Sequence, residues 1–408
     1  MKTLVIIETT TSGAGNKIIK SGIQHGYKVI FLCSNLDRYV NLELEQFSNF
    51  EIIITDTTSL EQVISTINNI KNLTENLFGI ISLSDSYIEI ASKAAEYFNL
   101  TSSNSESLEI IRDKGKVREL FKGYKFSVEN KVIYDVKELE EWNTFPAVTK
   151  SVNGTGSIDV KVSLHKDDLY KETKKMLAKY GEVLIEKYET GNLISHELLV
   201  QDGRMLSLGF TNRILGHIPH FVEVSYSFPY ILDLQEKQKL EQYSDIIISL
   251  LGYRNGALHI EYILTENGPK LIEINGRLGG GMLGPMISKS FGIDIYDYII
   301  KIFCSEKNVE IKHFLPQKAY STTVIYSKKE GELLYKDDSL VHSYPNIEEF
   351  YFSAKIGDYL KEPTNFKGDL GYIMSFGKNT EEAYLKGQSA LSTLIMKIKD
   401  QSNNSKYI

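Results

Sequence analysis

At 408 residues the chain is too long for one compact core, which implies two or three domains. With 42% hydrophobic and 24% charged residues, its composition is that of an ordinary globular protein. A net charge of -7 argues against a general nucleic-acid binder, whose affinity comes mainly from Lys and Arg on phosphates. Cys33 and Cys304 lie far apart and form no metal-ligand spacing, so a reduced, cytoplasmic protein is expected. No stretch reaches the roughly 18 apolar residues of a membrane helix. The first apolar run is broken by Glu8 and a Thr/Ser run, unlike a signal peptide.

Leu4–Ile7, Lys28–Cys33, Glu51–Ile54 and Gly79–Leu83 read as short buried strands, separated by helical patterns at Ala14–His25, Leu60–Asn69 and Tyr87–Tyr97. Strands spaced by helices pair in parallel, so the first hundred residues predict an open α/β sheet. The polar stretch Thr101–Ser107 is its boundary. Thr9–Asn16 follows the first strand and opens a helix, where dinucleotide-binding folds hold a pyrophosphate. The third glycine of that fingerprint is replaced by Ile18, and the acidic residue after the second strand by Cys33-Ser-Asn35. Gly13 and Gly15 therefore read as turn glycines, and no nicotinamide cofactor is expected.

From about 108 to 304, strands are predicted at Ala147–Lys150, Val183–Lys187, His196–Gln201, Leu206–Asn212, Ala257–Leu264 and Lys270–Asn275. Helices are predicted at Ser107–Phe121, Asp167–Tyr180, Gln235–Leu251 and Asp294–Phe303. After about 305 come strands near Tyr320–Tyr326 and Leu370–Ser375, a helix Thr380–Lys397, and a frayed tail, Asp400–Lys406.

The most informative segment is Gly256–Arg277. Two alternating runs flank Glu266-Asn-Gly268, which reads as the loop of a β-hairpin. With a three-residue loop Thr265 faces Pro269, Glu261 falls opposite Glu273, and His259 opposite Asn275. Period-two alternation puts Glu273, Asn275 and Arg277 on one face if the strand persists that far. Opposed like charges are unfavourable in a sheet, and Ile260, Ile263, Leu271 and Ile274 imply burial nearby. Two such carboxylates repel unless a cation or a proton sits between them. Two carboxylates and an amide, with no sulfur, are hard oxygen ligands that favour magnesium, with Glu261, Glu273 and Asn275 as its ligands. Taken singly, each Glu is also compatible with a solvated hairpin face. Gly279, Gly280 and Gly281 follow Arg277; their backbone N–H groups can approach an anionic substrate, or they form a flexible connection.

This hairpin, with its Glu-x-Asn-x-Arg ending, resembles the metal site of the ATP-grasp superfamily, in particular its carboxylate–amine ligases. The resemblance implies a three-domain α/β architecture: an N-terminal parallel α/β domain (1–103), an ATP-grasp domain (104–304) with a mobile lid at about 112–187, a C-terminal α+β domain (305–400) and a tail (401–408). It makes Lys114, within Ile110–Arg118, a phosphate-contacting lysine, although alone the segment reads as a charged helix start. It makes Lys150 the second lysine and Asn153–Ser157, with Gly154, Thr155, Gly156 and Ser157, the loop over the triphosphate; a simple hairpin turn is the alternative. Glu186, Lys187 and Tyr188 fall where backbone groups read the adenine edge. Leu193 stands where the family commonly has a ribose-binding Glu, and Glu197 matches a later acidic position. Glu223 corresponds to an acidic substrate-pocket residue, or is a surface strand charge. Arg277 would clamp the substrate carboxylate, and His259 would assist or serve structure.

The implied reaction is ATP-dependent amide formation through an acyl-phosphate, with ATP and magnesium (manganese as an alternative) and amino acids as substrates. L-amino-acid ligases are the nearest pattern; a biotin carboxylase-like or nucleotide-precursor enzyme is the alternative. Neither nucleic acid nor membrane is an expected partner, and edge-strand pairing into a homodimer is compatible with the family.

Overall fold

The computed structural model describes the chain except for residues 12, 40–46, 71–72, 155, 157, 218–219, 305–308, 310–314, 366–367, 400–404 and 408. Strands β1 (Thr3–Ile7), β2 (Lys28–Cys33), β3 (Phe50–Ile54) and β4 (Leu77–Ile81) pair in parallel in the order β3-β2-β1-β4. Helices α1 (Gly13–Gln24), α2 (Leu60–Asn69) and α3 (Ile88–Tyr97) connect and cover them. Leu4 to Ile7 are fully buried, as a strand covered on both faces requires. The fourth strand starts and ends two residues before the predicted Gly79–Leu83, because its register is set by β1, where Ile6 pairs with Ile81. Gly15 is a packing glycine: an added Cβ would collide with the Thr10 carbonyl and lie 2.9 Å from Thr9 Cγ2.

The predicted helix Ser107–Phe121 is two helices, α4 (Ser105–Arg112) and α5 (Lys114–Leu120). Asp113 breaks it. Its backbone is extended (φ -98°, ψ 102°), and its carboxylate accepts from the Lys116 N–H at 2.9 Å, capping α5. Lys114 thereby becomes the first residue of a new helix. A small antiparallel sheet follows, built of β5 (Asn130–Ile133), β6 (Ala147–Lys150), β7 (Lys161–Ser163) and, beyond α6 (Lys166–Tyr180), β8 (Val183–Lys187), in the order β5-β8-β6-β7. Ile133, Trp142, Leu169, Met176 and Ile185 form its core.

The central element is an eight-stranded sheet. It contains β9 (Asn192–Gln201), β10 (Arg204–Leu215), β11 (Glu223–Tyr230), β12 (Gly256–Thr265) and β13 (Gly268–Asn275). Helix α7 (Leu234–Leu251), capped by Asp233 and ended by Gly252 in the left-handed region, packs on it through Leu240, Ile247 and Leu251. Helices α8 (Leu283–Phe291) and α9 (Ile295–Phe303) share a core with α1, β1, β2 and the sheet residues Leu199, Leu208 and Ala257. That shared core joins the N-terminal sheet to the central one.

The sheet continues into the last region through β14 (Ala319–Ile325), β18 (Gly371–Gly377) and β16 (Ile347–Phe352), giving the order β13-β12-β9-β10-β11-β14-β18-β16. There β15 (Gly331–Asp337), α10 (Ser339–Ser343), β16, β17 (Tyr359–Leu360) and β18 precede α11 (Thr380–Leu391). The predicted helix Thr380–Lys397 stops at Leu391. After Ser392 and Thr393, Met396 and Ile398 alternate inward on strand β19 (Ile395–Lys399), which pairs with β15. Of the expected frayed tail, residues 400–404 lie outside the described residues. Ser405–Tyr407 forms β20 on β19 instead of fraying, in a sheet ordered β17-β15-β19-β20. Among the described residues no helix is long and apolar enough to cross a membrane.

Candidate active site

The hairpin β12–β13 places Glu261 opposite Glu273 and His259 opposite Asn275, as predicted, but by a different route. The turn has two residues, Glu266 and Asn267, with Thr265 facing Gly268 (φ +100°) rather than Pro269. A bulge at Ile272 then restores the register: Tyr262 faces Leu271 and Glu261 faces Glu273, which leaves Ile272 unpaired. Its carbonyl accepts from Arg118 Nη2 at 2.8 Å. Strand β13 ends at Asn275, so Arg277 lies beyond it and does not continue its face.

Each hairpin carboxylate is met by cations. Lys114 Nζ lies 3.1 Å from Glu273 Oε1 and also donates to the Gly154 carbonyl. One lysine thus touches both the hairpin and the glycine-rich loop. Glu261 is bonded by Arg213 and by His259 Nε2 at 3.1 Å. Arg213 also pairs with Glu223 at 2.5 Å. On the other ring edge, His259 Nδ1 lies 2.9 Å from Glu197, whose carboxylate accepts from Ser195 and Thr211 as well. Burial works against charge on His259, but Glu197 and Glu261 lift its imidazole to about 9. Burial likewise opposes ionisation of Glu261, yet Arg213 and His259 hold its carboxyl far below the usual range. The result is a charged chain, Glu223–Arg213–Glu261–His259–Glu197, most of it withdrawn from water.

A second buried cluster lies at the small sheet. Glu186 is 3% exposed and accepts from Lys150 at 2.6 Å and from Arg118. Burial alone would raise its carboxyl, but the two cations hold it below its ordinary value. Burial pushes the Lys150 ammonium down, against the pull of Glu186. The Glu186 side chain is therefore committed to Lys150 and Arg118. The Lys187 ammonium lies 3.4 Å from Glu189, and the Tyr188 ring is tilted on Phe221 at 6.3 Å. Thr155, Ser157 and Pro219 lie outside the described residues.

The glycines after Arg277 have protein-side reasons. A Cβ on Gly279 would lie 2.8 Å from His259 Nδ1, and one on Gly281 (φ +61°) would collide with the Tyr226 hydroxyl, which accepts from the Met282 N–H at 2.7 Å. Only Gly280 of the three borders open space, its nearest such neighbour being Arg277 Nη1 at 4.0 Å. The Arg277 guanidinium is engaged by Asp85, in the segment after β4, with Nε to Oδ1 at 2.6 Å.

Two carboxylates in register, one amide oxygen beside them and no sulfur fit a hard divalent cation. Among the described residues no cluster of three or more His, Cys, Asp or Glu side chains is arranged to hold a metal. A cation at Glu261, Glu273 and Asn275 would therefore complete its shell with water or phosphate oxygens, as magnesium commonly does. Sequence reasoning missed Arg213, Asp85 and the pairing role of Arg118. Arg118 closed the quoted lysine segment without a role, and Arg213 stands one residue past a predicted strand.

Residues 143–285 match the ATP-grasp domain family. The chain is 24% identical over 257 residues to y4rH, an uncharacterized protein of Sinorhizobium fredii, covering 61% of this chain and 52% of that one. It is 26% identical over 249 residues to alanine–anticapsin ligase of Bacillus subtilis, covering 53% of this chain and 52% of the ligase. The chain thus spans about half the length of these curated relatives. The crystal structure of L-amino acid ligase from Bacillus licheniformis superposes with a TM-score of 0.83 over 97% of this chain and 98% of that one, at 19% identity. Residues 143–285 are thus similar to the ATP-grasp domain family, and the chain shares the three-domain α/β fold of the L-amino acid ligase.

Proposed function

We propose that the chain is an ATP-dependent carboxylate–amine ligase that joins two amino acids into a dipeptide, with release of ADP and phosphate. The observation that carries this reading is Lys114, which touches Glu273 of the hairpin and Gly154 of the glycine-rich loop at once. A triphosphate approached from both sides needs such a bridging charge. Bound at Glu261, Glu273 and Asn275, magnesium would supply charge that neutralises phosphate oxygens. Lys114 and Lys150 hold the phosphates, and the backbone around Glu186, Lys187 and Tyr188 faces the base. Arg277 and the backbone of Gly279 to Gly281 receive the substrate carboxylate, Glu223 its ammonium, shared with Arg213. A carboxylate oxygen attacks the γ-phosphorus and ADP leaves. The amine nitrogen then attacks the acyl carbon, phosphate leaves, and the nitrogen loses a proton. The acyl-phosphate is already reactive, so orientation supplies much of the acceleration.

The test is ADP release with magnesium, screened over pairs of amino acids, with the product mass determined. Stimulation by two amino acids together and a dipeptide mass are expected; consumption of bicarbonate instead overturns the reading. Glu273→Gln should lower turnover by more than the roughly 10–100-fold typical of losing an outer partner of a metal ligand, with the melting temperature retained. Near-normal turnover would refute the metal assignment.

A further inference from the structure

Asp85 lies just past the carboxyl end of β4, 192 positions before the arginine that it holds. In the order β3-β2-β1-β4 the connection direction reverses between β1 and β4, the place where open parallel sheets offer a crevice at their strand ends. From there the Asp85 carboxylate covers one edge of the Arg277 guanidinium: Oδ1 accepts from Nε at 2.6 Å and Oδ2 from Nη2. Nη1 donates to the carbonyl of Leu278 at 2.7 Å. Of the five N–H groups of an arginine, three are thereby engaged and two, one on each terminal nitrogen, stay open to an anion. A Cβ added at Gly280 would lie 4.0 Å from Nη1, so the Gly280 backbone borders this nitrogen without crowding it. Both side chains are largely withdrawn from water, at 17% exposure for Arg277 and 24% for Asp85.

Resting on the ligase reading above, we propose that Asp85 is a positioning residue for Arg277. It fixes the plane of the guanidinium from the N-terminal sheet, so that the remaining N–H groups meet the carboxylate substrate in one orientation. An unrestrained arginine would have to be ordered anew at each binding event, and a planar fork loses most from misorientation. Asp85 is thus the point at which the N-terminal sheet enters the chemistry: it touches no reacting atom but sets the group that does.

The test uses the full chain with Asp85→Ala and Asp85→Glu. Asp85→Ala is expected to raise KM for the carboxylate substrate about 10-fold or more while KM for ATP stays within about twofold, and Asp85→Glu to recover part of the loss. A merely structural role would move both KM values together, and that outcome overturns the proposal. A second measurement needs no turnover. Phenylglyoxal labelling, read at the Arg277 peptide by mass spectrometry, should be slow in the wild type and several-fold faster in Asp85→Ala. Equal labelling overturns the proposal whatever the activity. If the wild type releases no ADP with any amino-acid pair, the ligase reading falls, and the labelling rates alone decide whether Asp85 restrains Arg277.

Discussion

Replacing Glu186 by Gln should be among the most damaging single changes in the small sheet. The carboxylate sits between Lys150, at 2.6 Å, and Arg118, and all three side chains are nearly inaccessible. An exposed ion pair would be worth about 0–1 kcal/mol. Removing one partner of a buried one costs about 3–5 kcal/mol, because the stranded charge keeps its desolvation penalty. Here two cations are stranded. At ~2–4 °C per kcal/mol for a domain of 150–250 residues, the melting temperature should fall by roughly 6–20 °C. Adding Lys150→Met to Glu186→Gln removes one of the two stranded cations and should recover about half of the loss, although the double variant gives up the lysine proposed to hold phosphate. The defect of the single variant should also shrink as pH rises, since a neutral Lys150 needs no counter-charge. A Glu186→Gln protein melting within about 3 °C of the wild type, or a double variant no more stable than the single, would refute the reasoning.

Gly279→Ala puts a methyl 2.8 Å from His259 Nδ1, the atom that holds Glu197, and should cost about 1–3 kcal/mol with a loss of turnover; Gly280→Ala, facing open space, should leave the melting temperature unchanged. Burial lowers the His196 imidazole to about 3, with its two nitrogens bonded to the hydroxyls of Ser244 and Ser207 at 2.8 Å. A base depressed by folding contributes stability that is present above its unfolded value of 6.5 and lost as pH falls toward 3, at about 1.4 kcal/mol per unit. Urea unfolding between pH 7 and 4 should show this slope, and His196→Gln should flatten it; an unchanged slope would remove His196 from the account. Deleting Ile272 leaves Glu273 opposite Glu261 in an unbulged ladder but removes the carbonyl that accepts from Arg118, and should cost about 1–3 kcal/mol, checked by melting temperature; an unchanged melting temperature would deny that bond its role.

The features legible in the sequence were those encoded by local periodicity. The N-terminal alternation of strands and helices, with β4 displaced by two residues, strand Ala147–Lys150 and the paired runs of the hairpin stand where apolar spacing put them. What escaped was made by long-range contacts. Arg213 meets Glu261 across 48 positions, Arg118 meets Glu186 across 68, and Asp85 meets Arg277 across 192; no spacing rule reaches so far. Strand β11 escaped for another reason. Tyr226 and Phe228 do alternate on it as core residues, but the other face, Ser225 and Ser227, is buried as well and bonded to Ser321, and Pro229 inside the strand weakens the pattern. Asp113 was visible as a helix cap, but lying inside a helical pattern it was read as one of the helix's charges.

The hairpin shows how a correct pairing can rest on two offsetting errors. A two-residue turn alone would have placed Glu261 opposite Ile272 and turned Glu273 onto the face of Leu271, which is fully buried. The bulge reverses the phase: Pro269 and Leu271 point inward before it and Ile274 after it. The signal was present, since Leu271 and Ile272 are adjacent apolar residues in an otherwise alternating run, followed by Ile274. Two inward phases in one short strand require an extra residue between them. The carbonyl left over at that residue is bonded by Arg118, whose other bond goes to Glu186 and through it to Lys150. The guanidinium that holds the bulge, and so keeps Glu273 facing Glu261, therefore also anchors the second lysine. The two halves of the proposed phosphate site are tied by one buried arginine, so they should shift together when Arg118 is disturbed.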